Sequence, residues 1–190
     1  MQTGARRHAH ARLGLTAYRL ATRAVGPLVP YLLSRRLKRG KEDAPRLDER
    51  QGIAVRPRPA GPLVWIHAAS VGESLSVLTL IDRLLAARAD IHVLVTTGTV
   101  TSAHLMAERL PPRAFHQYVP LDHPRYCQKF LAHWKPDLGV WVESEFWPNL
   151  ITTSDKQGVP LALINARITQ KSFEGWQRFP KTIHDLVSRF

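Results

Sequence analysis

The sequence predicts an α/β fold in which a parallel β-sheet is covered by helices on both faces. From residue 63 onward, short β-branched runs that are apolar at successive positions alternate with longer amphipathic stretches. Strands that alternate with helices in this way are joined by crossovers and lie parallel. The 190 residues, of which 44% are hydrophobic, suffice for one domain with a hydrophobic core.

Five strands and the helices between them follow from this alternation. The predicted strands lie at residues 63–67, 91–96, 115–119, 138–142 and 161–164. The predicted helices lie at residues 73–88, 101–110, 123–134 and 148–157, and a last basic amphipathic helix is predicted over residues 169–190. Because ligands bind beyond the carboxyl ends of parallel strands, we expect the site in the segments that follow them.

Positive charge is concentrated in residues 1–60. This segment holds 14 of the 27 Lys and Arg residues but only 4 of the 15 Asp and Glu residues, which points to an anionic partner, a membrane surface or a nucleic acid. Arg12, Arg19 and Arg23 share one face of a predicted amphipathic helix. We interpret this helix as lying on a membrane surface; the alternative is a solvated helix packed on the domain.

The chain divides into two predicted parts. Residues 56–62 are rich in proline and predict a linker, so residues 1–60 form a basic membrane-surface segment and linker, and residues 61–190 form the sheet domain. The apolar stretch at residues 13–33 is interrupted by arginines and prolines, which argues against both a secretory signal and a spanning helix.

Neither a disulfide nor a metal site is predicted. Cys127 is the only cysteine, which excludes an internal disulfide and a cysteine metal site and suits a reducing compartment. His8 and His10 have no carboxylate beside them in the sequence, so we predict no metal there and no cofactor.

The first candidate site is the segment His-Ala-Ala-Ser-Val-Gly-Glu at residues 67–73, which leaves the first strand and opens a helix. Ser70 and Gly72 are small enough to let a ligand approach the backbone, where free N–H groups favour an anion. The helix start favours an ionised Glu73 that can accept a proton. The alternative is that Glu73 only caps the helix.

The second candidate site, at residues 141–149, leaves the fourth strand and contains Trp141, Glu143, Glu145 and Trp147. Aromatic faces stack on carbohydrate C–H surfaces and carboxylates accept hydroxyl hydrogen bonds, so this combination suits a sugar. The alternative is that the tryptophans belong to the core and the carboxylates cap a helix. Thr97, after the second strand, is a candidate to bond a sugar or phosphate, although its segment is equally typical of an ordinary turn.

Taken in order, these segments resemble the transferases of 3-deoxy-D-manno-octulosonic acid (Kdo) over essentially the whole chain. The matching residues are Lys41 and Glu42 with Arg46 and Arg50, followed by the segments at residues 65–73, 95–99, 118–122, 136–137, 143–149 and 165–167. Several ordered motifs are more specific than any one of them. The resemblance implies the amino-terminal lobe of a two-lobed, Rossmann-like glycosyltransferase of the GT-B type, and a chain that ends before the lobe holding the donor CMP-Kdo.

The resemblance also implies residue roles. Glu73 falls on the catalytic base, which takes the proton from the attacking sugar hydroxyl in an inverting displacement. Either Glu145 or Glu143 falls on a second acidic position, and the sequence leaves that choice open. The expected substrate-binding residues are Ser70, Gly72, Thr97, Trp147 and Arg167, the last as a phosphate contact suggested by its charge. Family members typically have Thr where this chain has Ser144, which keeps the hydroxyl.

The implied partners are a lipid A precursor as acceptor, CMP-Kdo as donor and the anionic cytoplasmic face of a bacterial inner membrane, with no nucleic acid. Without a donor lobe, the chain alone is expected to be inactive. Two alternatives stay open at this point: another GT-B nucleotide-sugar transferase, and a nucleic-acid-binding module motivated by the pI of about 10.7. The second predicts aromatics among the basic residues, and the run at residues 35–41 has none.

Overall fold

A computed structural model describes residues 2–143 and 145–190, with side chains described from residue 14 onward except at residue 171. The expectations placed on His8, His10, the Arg12 side chain and Ser144 therefore lie outside the described residues. The strands are β1 Leu63–His67, β2 His92–Thr97, β3 Ala114–Tyr118, β4 Leu138–Val142 and β5 Leu161–Ile164. Every neighbouring pair is parallel, which confirms the predicted α/β class.

The described helices include those predicted, with two differences. They are α1 Gln2–Val25, α2 Val29–Leu37, α3 Val71–Ser76, α4 Leu78–Ala87, α5 Val100–Arg109, α6 Pro124–Trp134, α7 Pro148–Lys156, α8 Gln170–Gln177 and α9 Pro180–Val187. The helix predicted at residues 73–88 is divided at Val77 into α3 and α4. The single helix predicted at the end is divided because Pro180 cannot continue a helix but fits the first turn of α9.

None of the helices in the described part of the chain has both the length and the apolar character that crossing a membrane requires.

The strand order β3-β2-β1-β4-β5 places a topological switch between β1 and β4. The chain adds β2 and β3 on one side of β1, then crosses to the other side and adds β4 and β5. Crossovers on either side of this point leave a crevice at the carboxyl ends of the two central strands. The segments that follow β1 and β4 are the two candidate sites, and this order makes them neighbours.

Apolar side chains cover both faces of the sheet. On one face, the ring of Trp65 packs against Trp141 at 4.7 Å and Phe130 at 5.0 Å between centroids. On the other face, Ile66 and Ile81 are fully buried. Trp141 is therefore a core residue, which was the alternative considered for the tryptophans of the second candidate site. Its ring holds β4 against the core and is not available to contact a ligand.

The segment before the sheet also packs against it. A 3₁₀ helix at Ala44–Gln51 contacts β3 and α6, and α1 lies against α7 and α9. Arg50, which is 3% exposed, pairs with the buried Glu42 at 2.7 Å and donates to the carbonyls of Gly98 (2.7 Å) and Val119 (3.2 Å). A domain boundary at residue 60 stays a prediction.

Candidate functional site

Glu73 lies in the first turn of α3, just beyond the end of β1. Its Oε2 accepts a hydrogen bond from the Ala69 N–H (2.8 Å), and its Oε1 accepts one from the Ser70 hydroxyl (2.7 Å). The Ser70 Oγ in turn accepts from the Glu73 N–H at 3.3 Å. This is a capping box whose backbone donor lies one residue earlier than usual. The carboxylate is thus held in one orientation, and Glu73 is 7% exposed.

Two neighbouring strands end in unusual backbone conformations beside this helix. Glu143, immediately after β4, has φ of 60°, and Asn165, immediately after β5, has φ of 49°. The left-handed region costs a non-glycine residue on the order of 1–2 kcal/mol, more for glutamate than for asparagine. The Glu143 N–H donates to the Ile164 carbonyl (3.0 Å), so pairing to β5 holds the start of the loop between β4 and α7, which carries Glu143, Glu145 and Trp147 and which we call the acidic loop. Such conformations concentrate at functional sites.

The loops after β1, β4 and β5 enclose an acidic cavity of about 320 Å³, lined by Glu73, Glu143, Glu145, Phe146, Trp147, Arg167, Thr169 and Ser172. Three carboxylates, one guanidinium and two aromatic rings therefore face one space. Arg167 pairs with Glu143. Carboxylates can accept protons or sugar hydroxyls, and an aromatic ring can stack on a sugar. The acidic cavity suits a polyhydroxylated ligand.

The environment of Glu145 differs from that of a free glutamate. Partial burial, and then the negative charge of Glu73, raise the pKa of Glu145. Both effects disfavour its charged form, so this carboxyl keeps its proton to a higher pH. Glu73 and Glu145 line the same cavity, although 72 positions separate them in the sequence.

The structure does not bring every predicted site residue into the acidic cavity. Ser70 and Gly72 are exposed beside Glu73, and a Cβ added to Gly72 would meet no heavy atom within 4 Å, so the space there is open. Thr97, by contrast, is fully buried at the end of β2, with its hydroxyl 2.9 Å from His116 Nε2. Its role in substrate binding stays a prediction, and in this structure its hydroxyl already has a partner.

One supporting residue, Asp122, was given no role from the sequence. Its carboxylate accepts the N–H groups of Asn149 (3.0 Å) and Leu150 (2.8 Å) at the start of α7. The Asn149 side chain donates to the Asp122 carbonyl (2.7 Å) and to the Thr22 hydroxyl of α1 (2.9 Å). Asp122 therefore fixes the helix that follows the acidic loop. Only its place in the resembling segment at residues 118–122 could have drawn attention to it.

His67 lies in the first candidate segment but does not line the acidic cavity. It is fully buried, with Nδ1 3.0 Å from the Thr96 hydroxyl and its ring 5.6 Å from that of Trp141. Burial lowers the pKa of His67 to about 4, so the ring is neutral at physiological pH. It packs beneath the site.

Comparison with known proteins identifies the family. A family model described as 3-deoxy-D-manno-octulosonic-acid transferase (kdotransferase) matches residues 45–190. The chain is 42% identical over 164 residues to the 3-deoxy-D-manno-octulosonic acid transferase of Rickettsia bellii, covering 86% of this chain and 39% of that protein. The chain belongs to the Kdo transferase family.

Other relatives of the chain come from other organisms. It is 39% identical over 168 residues to a probable 3-deoxy-D-manno-octulosonic acid transferase, mitochondrial, of Arabidopsis thaliana, covering 87% of this chain and 38% of the relative. It is 35% identical over 176 residues to the Bordetella pertussis 3-deoxy-D-manno-octulosonic acid transferase, covering 86% and 40%. The chain thus spans about two fifths of the length of these curated relatives.

The family match includes all three segments that line the acidic cavity, because it runs from residue 45 to residue 190. Helices α1 and α2 precede the matched range. In the described part of the chain, no group of three or more His, Cys, Asp or Glu side chains is placed to hold a metal ion.

Proposed function

We propose that this chain is the acceptor-side lobe of a GT-B glycosyltransferase that transfers Kdo from CMP-Kdo to a lipid A precursor. The observation that carries the proposal is the shared acidic cavity of Glu73 and Glu145 at the switch between β1 and β4, in a chain of the Kdo transferase family. A crevice at this place in a parallel sheet is where such folds bind ligands.

In this proposal Glu73 is the catalytic base. Its carboxylate removes the proton from the acceptor hydroxyl as that oxygen attacks the anomeric carbon of Kdo, and the bond from this carbon to the CMP phosphate oxygen breaks with inversion. The hydrogen bonds from the Ala69 N–H and the Ser70 hydroxyl hold the Glu73 carboxylate in one orientation, so it need not reorient during the reaction. Glu145 positions the acceptor, Trp147 stacks on a sugar ring, and Arg167 contacts a phosphate.

Attachment to the cytoplasmic face of a membrane is part of the proposal. Three apolar side chains are 58–66% exposed near the amino terminus. They are Leu20 in α1, Leu28 in the turn after it and Tyr31 in α2. Exposed basic side chains follow at Arg35 and Arg39. Apolar side chains that enter the interface, together with basic ones that attract anionic lipid, give peripheral binding.

The test is Kdo transfer from CMP-Kdo to a lipid A precursor. Three proteins are compared: this chain alone, the chain joined to the carboxyl-terminal half of a relative, and that joined protein with Glu73→Gln. Only the joined protein should be active, and Glu73→Gln should reduce its rate by roughly 10²–10⁴-fold, the usual contribution of a general base. Acceptor binding should change little, because the amide keeps the shape of the side chain.

The matched control is Glu108→Gln, on the exposed surface of α5, which should retain full activity. Turnover by the chain alone, or a near-normal rate for Glu73→Gln, would contradict the proposal. A UDP-hexosamine offered as donor tests the substrate: preference for it over CMP-Kdo would show another GT-B transferase.

A further inference from the structure

A second cavity, which we call the arginine cavity, lies where α1 meets α6, apart from the acidic cavity. It encloses about 570 Å³, and its lining includes Arg19, Arg23, Arg125, His123, Gln128 and Gly26. No carboxylate is among its lining residues. Among the side chains that the structure describes, none pairs with these three arginines as an acidic partner. Positive charge is thus gathered in a concave space, with no ion pair to these arginines among the described side chains.

The local structure explains why these charges converge. Arg19 and Arg23 are four residues apart on α1 and therefore lie on the same face. His123 caps α6, its Nδ1 accepting the Arg125 N–H at 3.2 Å, and the positive end of this 11-residue helix adds to the field. Guanidinium groups bind phosphate oxygens through paired, charge-assisted hydrogen bonds.

The wall of the arginine cavity is closely packed at the turn after α1. A Cβ added to Gly26 would come within 2.9 Å of His123 Nε2, so the turn and the histidine are in close contact. The ring of His123 also lies 4.5 Å from that of Tyr126. Burial lowers the pKa of His123 despite an opposing hydrogen bond with the Arg23 backbone, and the charges of Arg125 and Arg23 lower it further, as expected where arginines face this ring.

The surroundings of the arginine cavity favour a lipid over a free anion. The exposed Leu20 and Leu28 flank its lining residues in the sequence, and Pro27 separates Gly26 from Leu28. A soluble phosphate makes no apolar contact with exposed leucines, whereas the acyl chains of a lipid can contact them beside its phosphate. We propose that the arginine cavity binds the phosphate of an anionic lipid headgroup. This inference rests on the proposed membrane attachment and is independent of Kdo transfer.

Variants that conserve positive charge distinguish a specific phosphate site from general electrostatic attraction to an anionic membrane. Arg23→Lys/Arg125→Lys keeps every positive charge but removes the paired guanidinium geometry. The matched control is Arg83→Lys/Arg109→Lys, at exposed positions on α4 and α5 outside the arginine cavity. Binding to phosphatidylcholine vesicles with a minor fraction of phosphatidic acid should weaken on the order of tenfold for the first variant, and be unchanged for the control.

A second variant tests the site at an exposed position, where loss of binding through misfolding can be excluded by the melting temperature. Gln128→Glu places a carboxylate in the arginine cavity from an exposed position, so it should pair with the arginines and weaken vesicle binding while the melting temperature is kept. Equal vesicle binding by the cavity and control variants, or undiminished binding by Gln128→Glu, would overturn the site.

The source of the phosphate is tested separately. If inorganic phosphate shifts the His123 NMR signals while the cavity variant and the unaltered chain bind vesicles equally well, the site is for a soluble anion and the lipid assignment is wrong. The lipid assignment would also be overturned if Arg23→Lys/Arg125→Lys lost RNA binding in gel shifts and kept its vesicle binding. Failure of the unaltered chain to bind vesicles at all would overturn membrane attachment itself, and would leave the transfer assay unaffected.

Discussion

At the scale of single residues, the two roles considered for Glu73 use one geometry. The hydrogen bonds from the Ala69 N–H and the Ser70 hydroxyl complete a capping box, and the same bonds fix where the carboxylate points. A group that must accept a proton benefits from such fixed orientation, because no reorganisation is needed during the reaction. A structural role as a cap therefore supports the proposed role as a base.

The coupling of Glu73 to Glu145 can be measured directly. Glu73→Gln removes a negative charge beside Glu145, so the pKa of Glu145 should fall toward that of an ordinary glutamate. It should remain somewhat raised, because partial burial, the larger cause, is unchanged. NMR titration of the Glu145 side-chain carboxyl carbon gives the value, with Glu108→Gln as the control. An unaltered Glu145 pKa would show that the two carboxylates do not share the acidic cavity.

At the scale of elements, α7 is held by a residue from a different loop. Asp122 accepts two N–H groups of its first turn, 27 and 28 positions away in the sequence. These donors have no partner inside the helix, and the loop that carries Glu145 and Trp147 runs directly into this turn. The acidic loop is consequently fixed at one end by pairing to β5 and at the other by Asp122.

Removing this cap should affect both stability and the site. We expect Asp122→Ala to lower the free energy of unfolding by about 1–2 kcal/mol, as for other helix caps. In the joined enzyme it should also slow Kdo transfer, because the acidic loop loses one anchor. Urea denaturation measures the first effect, with Asp82→Ala, an exposed position on α4, as control. If the two alanine variants are equally stable, Asp122 does not hold α7.

At the scale of the whole molecule, the basic segment and the sheet are joined by buried charge. Arg50 reaches from the 3₁₀ helix to the carbonyls of Gly98 and Val119, beyond the ends of β2 and β3, while Glu42 neutralises it. Glu42 also accepts from Arg36 at the end of α2 (2.6 Å). The segment before residue 60 thereby contributes to the folded sheet domain, even though its charge and its linker-like sequence set it apart.

Breaking this pair should destabilise the whole fold. Glu42→Gln leaves the Arg50 guanidinium buried without a counter-charge, which typically costs about 3–5 kcal/mol. Urea denaturation should show the loss as a single cooperative shift. Asp48→Asn, exposed in the same 3₁₀ helix, is the matched control and should change little. A comparable stability for both variants would mean that Arg50 is not tied to the sheet through Glu42.

The sequence by itself determined the α/β class, the approximate strands, the family and the two acidic segments at strand ends. These properties depend on residues close together in the chain, whose apolar periodicity and motif order can be read directly. Details that depend on single residues were less well predicted: Val77 divides one helix, and Pro180 starts another.

Only the tertiary structure decided which of these residues meet. The strand order, which local periodicity does not encode, puts β1 beside β4 and so brings Glu73 to Glu145. Packing turns the Thr97 hydroxyl toward His116 and places Asp122 at the start of α7. Such contacts join positions far apart in the chain, and their geometry follows from how helices and strands pack rather than from the pattern within any one of them.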